Sequence, residues 1–187
     1  MHYKLFISAA GLGKRLGANE INKSLLPINK EAIISKIINK FPINIKIIIA
    51  LGYQGSLVKE FIKLSHPERK IKFVSIKNFS GLGAGPGLTL KQCKKYLQCP
   101  FIYSSCDTLT KEKPLKPSFN WIGTSSVSNT ESFLIIEKNK TKLNLFDKKN
   151  KNKINKNKKK FNAFIGLMGI KDYKIFWEDL ENNHSLI

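Results

Sequence analysis

The stretch Tyr3-Lys4-Leu5-Phe6-Ile7-Ser8-Ala9-Ala10-Gly11-Leu12-Gly13-Lys14-Arg15-Leu16-Gly17 decides the fold. Tyr3 to Ala9 is a β-rich apolar run ended by glycines, which predicts a buried strand and then a turn. Small residues at Ala9, Ala10, Gly11 and Gly13 let a ligand approach the backbone. The N–H groups exposed in such a turn can cradle phosphate, and Arg15 can fork onto phosphate oxygens. A tight strand-to-helix turn with surface cations fits the same residues. Two familiar phosphate loops do not. A Walker loop needs Gly-Lys-Ser/Thr, which is missing. In the dinucleotide fingerprint the third glycine would stand where Leu16 is, and Gly17 comes one residue late.

Outward from this turn, strands and helices alternate. Glu31 to Asn39 places Ile33, Ile34, Ile37 and Ile38 at helical spacing, and Pro42 stops it. Ile45 to Leu51 is an apolar strand of the kind parallel sheets bury on both faces. Ser56 to Leu64 predicts a helix with Leu57, Val58, Phe61 and Leu64 on one face. Ile71 to Ile76 is a strand, Leu88 to Leu97 a helix, and Pro100 to Ser105 a strand. This order implies crossover connections and a mostly parallel sheet with helices on both faces, an α/β fold. Ligands of such sheets bind at the carboxyl ends of the strands. Beyond Asp107, strand-like segments follow without long helices: Asn120–Ser125, Ser132–Glu137, Leu143–Phe146 and Phe161–Ile170. Asp172 to Glu181 predicts a closing helix with Asp172 as its N-cap.

The chain has 187 residues, 42% of them hydrophobic, which suits one domain with a real core. No run of 18 apolar residues exists, so no ordinary membrane-spanning helix is expected. The first apolar stretch is too short for a signal peptide. Cys93, Cys99 and Cys106 lack metal-ligand spacing and read as free thiols, which suits a cytoplasmic protein. The net charge is +20, and half of it comes from Lys138 to Lys160, with eleven lysines and one acid. Residues 148–160 are Lys and Asn almost throughout and read as a solvated loop. The excess is nearly all lysine, with Arg15 and Arg69 the only arginines. Aromatic residues are not interleaved with it, which argues against a nucleic-acid surface.

His2, His66 and His184 have no partner spacing. Ser24, Ser104 and Ser105 lack a nucleophile elbow. Trp121 and Trp177 read as core aromatics, with an acceptor pocket as the alternative for Trp121.

Eight residues after Arg15 comes Asn22-Lys23-Ser24-Leu25-Leu26-Pro27. Together the two segments resemble the signature of the nucleotidyltransferases that make activated sugars and related compounds. That signature is an Ala-Ala-Gly-x-Gly-x-Arg loop followed by Pro-Lys-x-Leu-x-Pro. Ala9, Ala10, Gly11, Gly13 and Arg15 match the first part; Lys23, Leu25 and Pro27 match the second. Asn22 stands where the family has proline. Further segments fall in the family's order. Ile47 to Tyr53 looks like its second strand. Leu82-Gly83-Ala84-Gly85-Pro86-Gly87-Leu88 resembles the turn that contacts the base, with Ala84 replacing a threonine. Phe101 to Thr108 is like the strand whose terminal Gly-Asp holds the metal, with Cys106 in the glycine's place. Phe146-Asp147-Lys148 resembles a shortened Phe-x-Glu-Lys, and Asn162-Ala163-Phe164-Ile165-Gly166 the following Asn-Ala-Gly strand.

The resemblance implies a Rossmann-like, nucleotide-diphospho-sugar transferase-like fold, read as a single domain over 1–187. It also implies transfer of a nucleotidyl group from a nucleoside triphosphate to a phosphorylated small molecule. In that chemistry Arg15 would hold the leaving phosphates, and Lys23 would bridge the α-phosphate and the acceptor. Ala9, Ala10, Gly11, Gly13, Gly83 and Ala84 would bind the nucleotide, and Lys148 the acceptor phosphate. Asp107 would bind Mg²⁺. A second metal-binding aspartate is usual late in the family. Here it either lies beyond the end of this sequence, or Asp107 and phosphates suffice. The stretch Phe164 to Tyr173 looks more like the choline-phosphate cytidylyltransferases, favouring CTP, than the hexose type. Sugar phosphates, a molybdenum-cofactor guanylyltransferase, and a non-catalytic nucleotide-binding relative are the alternatives.

Overall fold

The computed structural model describes residues 2–13, 21–81, 83–131, 133–138, 143–146 and 160–182. The chain divides into two compact units, residues 1–121 with 168–187, and residues 122–167.

The first unit opens with β1 (Lys4–Ala9). A 3-10 turn (Lys23–Leu25) and a small hairpin, β2 (Pro27–Ile28) and β3 (Glu31–Ala32), lead into α1 (Ile33–Asn39). Then come β4 (Lys46–Leu51), α2 (Gly55–Ser65) and β5 (Ile71–Ser75). α3 (Pro86–Cys93) passes through a 3-10 turn (Lys94–Tyr96) to β6 (Phe101–Ser105). The strands lie in the order β5-β4-β1-β6, and β1 is parallel to both β4 and β6. Leu5, Phe6, Ile7, Ile47, Ile48 and Ile49 are fully buried. Side chains alternate across a strand, so both faces of this sheet are covered, as the unbroken apolar runs predicted.

On one face, Phe6, Ile48 and Phe101 join Leu90, Cys93, Trp177 and Leu180 in a single core. Trp177 and Leu180 belong to α4 (Tyr173–Asn182). Trp177 stacks on Phe101 with ring centres 5.7 Å apart and donates from Nε1 to the Leu97 carbonyl at 3.2 Å. At the start of α4, the Asp172 carbonyl accepts from Phe176 N at 3.0 Å, as an N-cap residue's does. The Asp172 carboxylate instead accepts from Asn120 Nδ2 at 2.7 Å.

Two sequence expectations need correction. In α2 the inward stripe is Val58 and Ile62, whereas Leu57 and Leu64 are exposed. Leu57, Val58, Phe61 and Leu64 do share an arc of about 120°, but the buried stripe lies at its Val58 edge and continues to Ile62, which leaves Leu57 and Leu64 on the exposed edge. The predicted helix 31–39 begins two residues later, because Glu31 and Ala32 pair with Ile28 and Pro27. The hairpin reverses at Asn29 and Lys30, with φ of 51° and 65°.

The second unit is antiparallel where its pairing is registered. β8 (Ile135–Lys138) pairs with β9 (Leu143–Phe146) on one side and with β10 (Phe161–Ile170) on the other. β7 (Trp121–Val127) also pairs with β10. Ile135, Phe146 and Ala163 form its small core, with Val127 and Phe161 against them. Among the described residues no helix is long and apolar enough to cross a membrane.

Candidate functional site

Three parallel strands end side by side. Ser8 is in register with Ala50 and with Ser105. Beyond these ends the chain makes three turns: Ala9-Ala10-Gly11, Gly52-Tyr53 and Cys106-Asp107. They are stitched together by Tyr53 N to Ala10 O and Cys106 N to Ser8 O, each at 3.2 Å. Gly52 permits the first contact, since a Cβ there would collide with the Ala10 carbonyl oxygen and with Phe79. Ala9 and Ala10 are buried, and Gly11 is exposed. Gly13 has φ of 68°, in the left-handed region that favours glycine.

Asn22 organises this corner. It is buried, and its Nδ2 donates to Tyr53 O at 2.7 Å and Ala9 O at 3.3 Å. Its Oδ1 accepts from Ser24 N at 3.0 Å, which caps the 3-10 turn. Its φ of −61° is the angle proline imposes. The departure from the family's proline therefore preserves the backbone and replaces a ring constraint with hydrogen bonds. In the sequence Asn22 is a mismatch to the family's proline. The signal it carried was its N-cap chemistry directly before Lys-Ser-Leu.

The 3-10 turn aims Lys23 across the strand ends. Lys23 Nζ lies 2.5 Å from Asp107 Oδ2, and the two side chains are 21% and 43% exposed. The Lys23 stem runs beside Gly13, where an added Cβ would be 3.8 Å away. Thus Ala9, Ala10, Gly13, Lys23 and Asp107, expected in one site, come together.

Gly83 and Ala84 lie in the loop that follows β5, and Gly83 has φ of 79°. That loop also carries Phe79, which packs at Gly52. No hydrogen bond joins Gly83 or Ala84 to Lys23 or Asp107. Arg15, Lys148 and residues 148–159 of the Lys/Asn run lie outside the described residues.

Cys106 behaves as a small core residue. Burial, and to a lesser degree the Asp107 charge, pushes its thiol up to about 12, so it is protonated and inert at neutral pH. Burial likewise raises Cys93 to about 12. Cys93, Cys99 and Cys106 are all free. His66 is buried on Ser35 Oγ at 2.9 Å, away from this corner. Trp121 lies against Gly169, where a Cβ would overlap the indole, and Trp177 is core.

The arrangement offers an exposed carboxylate and an ammonium group at the edge where parallel sheets bind ligands, beside a turn of small residues. Among the described residues no three His, Cys, Asp or Glu side chains gather as a metal site. Asp107 would offer a cation one carboxylate. That suffices for a cation which takes its remaining ligands from phosphate and water.

No known protein family matches this sequence, and no curated protein matches it. Solved structures do. One is a Bacillus anthracis protein assigned as a glucose-1-phosphate thymidylyltransferase, in complex with sucrose. It is 19% identical, with 98% of this chain and 76% of that one covered at a TM-score of 0.73. Another is the CTP:phosphocholine cytidylyltransferase LicC of Streptococcus pneumoniae, 16% identical over 97% and 77%, TM-score 0.69. A third is the UDP-glucose pyrophosphorylase of Acinetobacter baumanii, 15% identical over 100% and 80%, TM-score 0.73. These likenesses show that the chain has the fold of nucleotide-sugar and phosphocholine nucleotidyltransferases: a mostly parallel, mixed sheet with helices.

Proposed function

We propose that this protein transfers a nucleotidyl group from a nucleoside triphosphate to a phosphorylated small molecule. The observation that carries the reading is the Lys23–Asp107 pair, set beside the Ala9–Gly13 turn on the carboxyl edge of the sheet. The similar solved structures, a cytidylyltransferase and sugar nucleotidyltransferases, support it.

The chemistry needs anions brought together more than it needs a reactive side chain. The triphosphate would lie along Ala9 to Gly13, where small residues leave the backbone open. Arg15 would hold the β- and γ-phosphates. Lys23 would leave Asp107 for the α-phosphate and draw in the acceptor phosphate, with Lys148 on its other oxygens. An acceptor oxygen attacks the α-phosphorus; a new P–O bond forms, the α–β bridge breaks, and pyrophosphate leaves. Asp107 and the phosphates would hold Mg²⁺, which supplies charge neutralisation for the redistributing electrons. In the free protein Lys23 neutralises Asp107, so the site exchanges one cation for another when the metal nucleotide enters.

Choline phosphate with CTP is the favoured substrate pair, and sugar 1-phosphates are next. The free cysteines suit a reducing, cytoplasmic setting for such an enzyme. A nucleotide-binding relative without turnover is the second reading. That no three His, Cys, Asp or Glu side chains gather among the described residues favours it. A screen of pyrophosphate release, crossing the common nucleoside triphosphates with phosphorylated acceptors, tests the proposal. Release that requires both substrates supports transfer. Nucleotide binding without release from any pair supports the second reading.

A further inference from the structure

We infer that the edge of the sheet opposite the nucleotide site is a docking surface for an anionic lipid bilayer. Three neighbouring parallel strands enter the sheet on lysine. Lys4 is in register with Lys46, and Lys70 directly precedes β5 and accepts from Ile47 N at 2.9 Å. Lys72 follows two residues later, in register with Ile48. By alternation these four leave the sheet on the same face. The 3-10 turn after α3 adds Lys95 and Tyr96 there. Lys72 and Lys95 hold their Nζ atoms 5.4 and 5.1 Å from the Tyr96 ring centre, and Lys4 Nζ donates to Tyr96 O at 2.7 Å. Among the described residues none of these five lysines pairs with a carboxylate. The neighbouring Lys94 does, with Glu181 at 2.6 Å. Like charges gathered at the starts of strands about 4.8 Å apart and on the adjoining 3-10 turn repel one another, and an anionic partner relieves that repulsion.

The chemistry of the edge selects the partner. The exposed cations here are lysines, point charges without the fork that reads bases; the adjacent Arg69 is turned inward, 6% exposed, onto the carbonyls of Ile38, Phe41 and Pro42. Tyr96 lies under ammonium groups and is no platform for base stacking. Two exposed aliphatic side chains lie in the segments that lead into this edge. Ile43, 54% exposed, is in the turn entering β4 at Lys46, and Leu64, 77% exposed, is in the last turn of α2 before β5. Lysines for lipid phosphates, flanked by aliphatic groups for the acyl boundary, make an interfacial surface. It lies about 17 Å along β1 from Ala9, at roughly 3.3 Å per residue, so docking leaves the nucleotide site open.

Co-sedimentation of the full chain with phosphatidylglycerol-containing and pure phosphatidylcholine vesicles tests this. Binding to the anionic vesicles alone, weakened by salt, is expected. K46Q/K70Q/K72Q should lower it by about tenfold or more while circular dichroism and nucleotide binding stay unchanged. I43S/L64S should lower it too. A chain with Lys151–Lys159 replaced by Ser and Gly should keep it. Equal binding to neutral vesicles, indifference to the edge variants, or loss on replacing 151–159 alone would overturn the inference. So would binding of a DNA oligonucleotide, rather than vesicles, that K46Q/K70Q/K72Q abolishes.

Discussion

Asn22 shows how one side chain can stand in for a ring. Its three hydrogen bonds tie the end of β1, the Tyr53 turn and the Lys23 turn into one corner. Asn22→Ala leaves two carbonyls and one N–H without that partner. Each buried unpaired group costs about 1–3 kcal/mol, so a loss of at least ~2 kcal/mol in denaturant unfolding is expected. Asn22→Pro keeps the φ of −61° and stiffens the unfolded chain. It should therefore be about 0.4–1 kcal/mol more stable than Asn22→Ala. The same corner shows what could be read from sequence. Lys23 and Asp107 were nameable because a cation after a glycine turn and an acid after a strand are chemical statements in themselves. Their direct contact was not, since it depends on Asn22 fixing where the turn points. Ala84 and Cys106 looked like losses. The structure accounts for Cys106 as core, with a thiol that burial keeps protonated.

Among the elements, β1, β4 and β6 were unambiguous, because Leu5–Ile7, Ile47–Leu51 and Phe101–Tyr103 are apolar at successive positions, as a strand buried on both faces requires. α2 was harder. Its apolar residues at 57, 58, 61, 62 and 64 form one arc wider than the stripe that is buried, and only the Val58–Ile62 side of it turns inward. The two-residue strands of the hairpin carry no periodicity at all. α4 holds to the sheet through Trp177, so Trp177→Ala should cost about 3–5 kcal/mol in chemical denaturation, as large buried aromatics do. His66 joins the turn after α2 to Ser35 of α1. Burial is the main cause that lowers its pKa from 6.5, with Glu68 opposing and Arg69 reinforcing. The unfolded chain therefore binds the proton more readily, and this contribution to stability falls as pH drops below about 6.5. Denaturant midpoints measured from pH 8 to pH 5 should decline more steeply in the wild type than in His66→Gln.

For the whole molecule, the proposed function assigns phosphate chemistry to the carboxyl ends of the parallel strands, and the lysines gather at the opposite edge. The order of strands and helices was legible because consecutive parallel strands need crossovers. The identity of base and acceptor was not, because it rests on contacts no strand pattern encodes. In the proposed reaction Lys23 and Asp107 exchange each other for the phosphates and the metal. Mg²⁺-dependent pyrophosphate release, followed with saturating nucleotide and acceptor, tests it in the wild type, Lys23→Ala and Asp107→Asn. Turnover lowered by about 10²-fold or more is expected in Lys23→Ala. Loss of the Mg²⁺-stimulated rate is expected in Asp107→Asn, with both variants folded. Wild-type turnover and an unchanged Mg²⁺ response in the two variants would contradict the exchange.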